Sequence, residues 1–489
     1  MNIFKRKGLD SLLVVMLLFS CVTFFGAEQS EAKKQNYSPI TMKMVLYGSS
    51  ISFNQSAMNY AIKKVKDRFN VNLQIDYYDP NTYYEKINVL WAAGDLPDFL
   101  ELIDTGKQIE AVENKAFVPL TDVAKKWKDV NPLYLESGRF NGQIYGLPWY
   151  RPVPDAICYR EDWLKKLNLK VPTNPETLYE MLYAFAKKDP DGNGKNDTYG
   201  FSMRSDFGMG QPLWGLFLPS AAGRLYYDKA TDSIKDSIYL VNDMKKALKW
   251  FNRAYKDRVL DPEWVLDKNK NVEQKFVSGK TGMWIKGAQF IASRQDSMAK
   301  SFPSCQLATL STMKGPYGPN YKISSAVEDM MFMTTKCKDI ERGKKVLEYW
   351  HSVEGVMDRQ MGEKGKDWTI ENDKLVWLMK GGNTGYNPGA LVTGIQNIKP
   401  PVPSPLLESS MKAIKGHEVT KNFARFAEAE SVNVTYVNIN TLKDETLSKM
   451  IIGEVPIEKY DEFLEKYKAS GGDKMLAEVN RLYKASLGK

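Results

Sequence analysis

The run Asp189-Pro190-Asp191-Gly192-Asn193-Gly194-Lys195-Asn196-Asp197 places oxygen-bearing side chains at loop positions 1, 3, 5 and 9, with Gly192 and Gly194 at the bends. Carboxylate and amide oxygens crowded into so short a turn suit a hard cation, and Ca²⁺ takes roughly six to eight oxygen ligands of this kind. The chemistry expected of Asp189, Asp191, Asn193 and Asp197 is therefore structural cation binding. Loop position 12 is Gly200, so the bidentate glutamate that normally closes such a loop is missing, and Thr198 supplies no carboxylate. A metal-free Asp/Gly surface turn is the competing reading. Other chemistry is poorly provisioned. The chain has 2 histidines, His351 and His417, which gives a Ser-His-Asp triad or a zinc site little to work with. No Gly-x-Ser-x-Gly elbow or phosphate-cradling loop is present.

The elements that position these residues follow from periodicity. Ile40–Tyr47 and Val71–Tyr78 alternate as strands, Asn59–Asn70 and Asn81–Ala93 repeat as helices, and Asp98–Leu102 reads as a short buried strand. Strand, helix, strand, helix, strand at this spacing predicts an α/β lobe with a largely parallel sheet. Gln143–Tyr150 and Ala156–Arg160 are extended pieces joined by a kink with Pro148, Pro152 and Pro154, which reads as a crossing between lobes. Helices are expected over Glu161–Leu167, Pro175–Lys188, Asn242–Asp257, Asn271–Ser278 and Asp339–Gly355, and a strand over Thr281–Ile285. Ile323–Thr335 reads as an extended return crossing, and the tail from Lys399 as helix-rich.

The N-terminus reads as an export signal over residues 1–32. Lys5, Arg6 and Lys7 precede an apolar run from Leu12 to Phe25. Leu18-Phe19-Ser20-Cys21 resembles a lipobox, which would make Cys21 a lipidated N-terminus; Ser30-Glu31-Ala32 offers ordinary cleavage instead. No later apolar run is long enough to span a membrane. Lys5, Arg6 and Lys7 balance Asp10, Glu28 and Glu31, so removal of residues 1–32 leaves the net charge at +9. The lysines are scattered without a nucleic-acid motif, so nucleic acid is not an expected partner. Cys158, Cys305 and Cys337 are an odd set whose pairing spacing does not decide.

Several segments then recur in the order of one family: Ala93-Gly94-Asp95-Leu96-Pro97-Asp98, Tyr145-Gly146-Leu147-Pro148, Gly279-Lys280-Thr281-Gly282-Met283, Glu354-Gly355 with Gly362 to Trp368, Ile451-Ile452-Gly453-Glu454 and Tyr460-Asp461-Glu462-Phe463. The chain resembles an extracellular solute-binding protein of the family 1, sugar-binding type, in the calcium-loop subgroup that includes alginate-oligosaccharide binders. The resemblance implies an α/β, two-lobed, periplasmic-binding-protein-like fold (type II). Lobe one would comprise residues 33–150 plus 329–379, and lobe two residues 151–328 plus 380–489. It also implies a Ca²⁺ site completed by the backbone carbonyl of Lys195, an oligosaccharide ligand, an ABC permease in the membrane as partner, a cell-surface or secreted location and a monomer.

Sugar rings want flat aromatic faces and a rim of hydrogen-bonding groups. Among 11 Trp and 26 Tyr, those at crossings and loop ends are favoured: Trp149, Tyr150, Trp214, Trp284 and Tyr386. Ser49 and Ser50 follow the first strand, where free amides meet ligand in such lobes, and Glu328 would accept from a sugar hydroxyl at the return crossing. Arg151 would suit a uronate carboxylate or serve as a hinge salt bridge. Basic charge concentrated in the cleft predicts an acidic ligand, and few cleft lysines a neutral one. The rival class is a secreted glycosidase or polysaccharide lyase working with two carboxylates or a Tyr base.

Overall fold

The structure is a computed structural model. It describes residues 37–486 apart from 49–54, 80–81, 128–131, 149–154, 208–209, 221–224, 321, 325–328, 373, 379–404, 415–417, 421–422 and 428–432. The chain runs through β1 (Ile40–Tyr47), α1 (Gln55–Phe69), β2 (Val71–Tyr78), α2 (Tyr83–Ala93), β3 (Phe99–Leu102), α3 (Thr105–Glu113) and β4 (Gly146–Pro148). It continues through β5 (Asp155–Arg160), α4 (Pro175–Lys187), β6 (Tyr199–Phe201), α5 (Val241–Lys256), α6 (Asn269–Val277), β7 (Thr281–Gly287), β8 (Leu307–Thr309) and β9 (Lys322–Ser324). After β10 (Met330–Met333) come α7 (Ile340–Trp350), α8 (Val353–Met361), β11 (Glu418–Thr420), α9 (Asn433–Ile452), α10 (Tyr460–Ala469) and α11 (Gly472–Ser486).

Two sheets organise two cores. In the first, the strand order is β2-β1-β3-β10-β4; β1, β2 and β3 run parallel, and β10 is antiparallel to both β3 and β4. Its core draws on Met42, Met44, Val65, Phe99, Leu100, Phe332 and Trp350. In the second, the order is β8-β5-β7-β6, with β7 antiparallel to β5 and parallel to β6. Its core runs from Ala156 to Met313 and takes in residues of α9, α10 and α11, among them Leu447, Tyr460 and Val479. The α/β, two-lobed expectation is met.

Local chemistry explains the elements. β2 buries Val71 and Leu73 while Asn72 and Gln74 face water. Gly94 ends α2 with φ +65°, a left-handed cap that costs glycine little. Asn174 caps α4 by accepting from the amides of Glu176 and Thr177 at 3.0 Å each, and Pro175 supplies the preset first turn. The single helix expected over Asp339–Gly355 is two. α7 stops at His351, and Ser352 Oγ accepts from Gly355 N at 3.1 Å to start α8. The helices touch so closely there that a Cβ on Gly355 would lie 2.0 Å from the Tyr349 carbonyl oxygen. The extended piece expected over Ile323–Thr335 divides between the lobes: β9 pairs with β11, whereas β10 joins the first sheet.

Candidate functional site

Parallel strands offer ligands their carboxyl ends, where the chain turns and backbone groups come free. In the first sheet these ends are Tyr47, Tyr78 and Leu102, and β4 leaves from the same edge at Pro148. The chain enters the second sheet at Asp155, paired with Gly287 at the carboxyl end of β7. The return crossing re-enters the first sheet at Asp329 and Met330. The first crossing therefore joins the carboxyl edges of the two sheets, and the return crossing runs from β9, in its own small sheet with β11, to the same edge of the first sheet. α3 starts at this edge, capped by Asp104 Oδ1 accepting from Lys107 N at 2.8 Å, and meets the Ala424–Ala427 turn that packs on α11.

The first-lobe edge is rich in tyrosine and carboxylate. Tyr47 and Tyr83 meet edge to face at 5.2 Å, Tyr83 and Tyr84 at 5.1 Å, and Tyr78 lies 6.3 Å from Tyr83. Glu101 sits inside β3 among Phe99, Leu100 and Leu102, only 4% exposed. Its Oε2 accepts from Tyr47 N at 2.8 Å, and its backbone carbonyl accepts from the Tyr83 hydroxyl. Register brings it a second carboxyl. Glu101 stands opposite Met331, and Asp329, two residues before Met331, lies on the same face as its diagonal neighbour. The two carboxyls are within hydrogen-bonding reach, and Asp329 Oδ1 is buried without a donor. Burial first, and then Asp329, push the Glu101 carboxyl well above the ordinary range; burial likewise raises Asp329. Burial and the nearby Asp329, Asp79 and Glu101 also raise the Tyr47 hydroxyl. Nothing in the sequence reading singled out this pair. The available signal was a glutamate in the middle of an otherwise apolar four-residue strand.

The Asp189 loop has the curl expected of it. Asp189 Oδ1 accepts from the amides of Gly192 and Asn193 at 3.0 Å each, and Oδ2 from Gly194 at 3.0 Å. Gly192 and Gly194 take φ +75° and +76°, conformations glycine adopts freely. Asn193 Nδ2 donates to Asp191 Oδ2 at 2.8 Å and to Asp197 Oδ1 at 3.2 Å, so a partly positive nitrogen gathers the carboxylates. Lys195 N donates to Asn193 Oδ1 at 2.7 Å, and Thr198 Oγ1 fastens the loop to the Phe185 carbonyl at 2.8 Å. The donor chemistry suits a hard cation, although no group of three His, Cys, Asp or Glu among the described residues forms a ready metal cage. Gly200 has no room to be the missing glutamate: a Cβ there would lie 2.8 Å from the Leu182 carbonyl oxygen.

Two predicted ligand aromatics prove to be core. Trp284 is 1% exposed and stacks on Phe276 at 5.5 Å; Trp214 is fully buried, 4.4 Å from the Phe251 ring. An indole packed against its own core offers a sugar no face, so both are withdrawn from the ligand site. The glycine two residues before Trp284 reflects packing too, because a Cβ on Gly282 would strike the Phe185 ring at 2.3 Å. Ser49, Ser50, Trp149, Tyr150, Arg151, Glu328, Tyr386 and Cys21 lie outside the described residues. His351 is buried and structural: its Nδ1 lies 3.0 Å from the Leu347 carbonyl oxygen, and burial pushes its pKa down to about 3. Cys158, Cys305 and Cys337 are buried free thiols.

Two α/β lobes joined at their sheets' carboxyl edges define the class of two-domain solute receptors. Residues 60–358 match the bacterial extracellular solute-binding protein family, and the chain belongs to that family. Lipoprotein LipO of Bacillus subtilis is 23% identical over 508 aligned positions, covering 99% of each chain. Among solved structures, the alginate-binding protein AlgQ2 without calcium ion superposes with a TM-score of 0.63 at 19% identity, over 91% of this chain and 98% of that one. An EF-hand mutant of the Streptococcus pneumoniae ABC-transporter substrate-binding protein FusA, in complex with fructo-nystose, gives 0.63 at 18% identity, over 92% and 100%. No helix among the described residues is long and apolar enough to cross a membrane.

Proposed function

We propose that this protein is the extracellular capture component of an ABC importer, closing its two lobes on an oligosaccharide and delivering it to a membrane permease. The observation that carries the reading is that both crossings meet one edge of the first sheet, the first of them joining it to the matching edge of the second, with a tyrosine-lined acceptor rim at that shared edge. Tyrosine faces suit the apolar side of a sugar ring, and buried carboxyls suit its hydroxyls. FusA's fructo-nystose and AlgQ2's alginate mark uncharged and uronic ligands among structural neighbours. The rim favours the uncharged kind. Asp79, Glu101, Asp104 and Asp329 cluster near the first-lobe edge, whereas Lys107 there is paired with Glu110 at 2.8 Å. Ser49, Ser50, Trp149, Tyr150, Arg151, Glu328 and Tyr386, which adjoin these strand ends or crossings in sequence, remain the proposed further ligand contacts. Lobe boundaries near residues 150, 328 and 379 are part of the same proposal.

The Asp189 loop would brace the second lobe with Ca²⁺ held by Asp189, Asp191, Asn193, Asp197 and the Lys195 carbonyl, without taking part in chemistry. Cys21 would carry the lipid anchor, in keeping with LipO's description as a lipoprotein. The protein would act as a monomer at the cell surface and as a binder, not an enzyme. A thermal-shift screen with neutral fructo- and manno-oligosaccharides against oligogalacturonates and alginate oligosaccharides tests this. A binder of the proposed kind melts higher with a neutral sugar and returns it intact. Shorter products would establish the glycosidase or lyase alternative.

A further inference from the structure

Asp329 occupies a mechanically sensitive place. It is the last residue before β10, on the segment that returns from β9 in the second lobe to the first sheet. Glu101 is fixed by contrast: β3 lies between β1 and β10, and Tyr47 N and the Tyr83 hydroxyl hold its side chain and carbonyl. The two carboxyls meet on one sheet face, with Asp329 Oδ1 buried and lacking any donor. Two ionised carboxylates in that arrangement would leave a buried acceptor unmatched and like charges side by side, which is strongly unfavourable away from water. A single proton held between them satisfies both groups.

We propose that Glu101 and Asp329 share one proton and form a latch that ties the return crossing to the first sheet. The O–H···O⁻ bridge holds the root of the crossing in register with β3. When the proton leaves to water, two facing carboxylates repel. The mobile partner is Asp329, because Glu101 is anchored in mid-sheet. The lobes then sample a wider range of separations. The groups facing the pair are Tyr47 from β1, Tyr83 from α2 and Arg359 from α8, with Asp79, at the end of β2, beside Tyr47. The Tyr47 and Tyr83 hydroxyls are raised by burial and stay neutral throughout the working range. The Tyr47 N–H on Glu101 and the Arg359 guanidinium oppose retention of the proton; Arg359 Nη2 is already engaged with the Trp350 carbonyl oxygen at 2.9 Å, and the guanidinium stands 5.1 Å from the Trp350 ring.

The link from latch to sugar capture rests on the function proposed above, so the test uses sugar-free protein. Spin labels at Val89→Cys and Leu266→Cys, both strongly exposed and on different lobes, report the interlobe distance. The distance distribution of otherwise wild-type protein broadens as pH is raised from the ordinary carboxylate range through the folded value of the pair. Glu101→Gln and Asp329→Asn, which keep shape while removing the second charge, hold the narrow distribution across the range. Infrared difference spectra show a protonated-carboxyl band that persists above the ordinary carboxylate range and that either substitution abolishes. A pH-independent wild-type distribution, or variants that broaden as the wild type does, overturns the latch. Sugar binding without any such broadening removes the latch and leaves the receptor reading standing; broadening in a protein that binds no sugar does the reverse.

Discussion

With its indole stacked on Phe276 and 1% exposed, Trp284 is a residue whose loss the fold feels first. Trp284→Ala opens a cavity in the second core, and truncations of this kind cost about 3–5 kcal/mol. The urea midpoint of the variant is expected to fall accordingly, while the protein that remains folded binds sugar within about threefold of wild type by calorimetry, since no anchor of the size typical of binding hot spots has been removed. A tenfold loss of affinity with unchanged stability would return Trp284 to the ligand site. Two titrating groups of the first lobe act in opposite senses. Buried His351 refuses the proton that an unfolded histidine accepts, so its contribution is complete above about pH 6.5 and is lost as pH falls toward about 3. Glu101, raised by burial and Asp329, contributes most below about pH 4.3 and loses that contribution as pH rises through its folded value. His351→Gln should therefore flatten the acid limb of a stability–pH curve from guanidinium unfolding, and Glu101→Gln should raise the neutral limb. A Glu101→Gln curve that lies below wild type at pH 8 would contradict the shared proton.

Among elements, the Asp189 loop makes the clearest prediction. Asp189→Ala removes the acceptor for three backbone amides, and it removes one proposed cation ligand at the same time. The wild-type melting temperature should fall on chelation with EGTA, and Asp189→Ala should melt lower and ignore the chelator. Its hydrogen bonds hold the Asp189 carboxyl below the ordinary range, so the loop's order is present above the usual aspartate pKa and is lost as pH falls below it. Gly200→Glu, which supplies the EF-hand closing residue on paper, should lower the melting temperature with or without Ca²⁺, because the Leu182 carbonyl and Val259 occupy the space a side chain needs. Elements with a clear period were readable from sequence: β2 is half-buried and alternates, and α4 carries its own cap. β6 and β8 were not, because strands of three residues have no period to detect. Glu101 and Asp329 meet only through antiparallel register across 228 positions, and neither Leu100-Glu101-Leu102 nor Glu328-Asp329-Met330 carries a local pattern that announces the meeting.

For the molecule as a whole, the distribution of charge matters more than its sum. The chain carries +9, yet the described residues at the sheet edges include Asp79, Glu101, Asp104, Asp155, Asp206 and Asp329 against Lys86, which lies 4.8 Å from the Tyr78 ring, Lys107, Arg204, Lys286 and the buried Arg359. Arg204 is itself paired with Asp206, and Lys286 lies 5.5 Å from the Phe290 ring. Surface lysines far from the edge act on a bound sugar only through water, where attraction fades beyond about 8 Å at physiological salt. The excess charge therefore speeds encounter with anionic surfaces without rewarding an anionic ligand in place. Affinity for a neutral oligosaccharide should change by less than about twofold between roughly 20 mM and 500 mM salt, because no net charge is neutralised on binding. A uronic oligosaccharide should bind weakly at low salt and gain slightly as salt screens the carboxyl rim. If instead a uronic ligand binds tightly at low salt and weakens steeply with added salt, then a basic contact such as Arg151 outweighs the rim, and the ligand class is acidic.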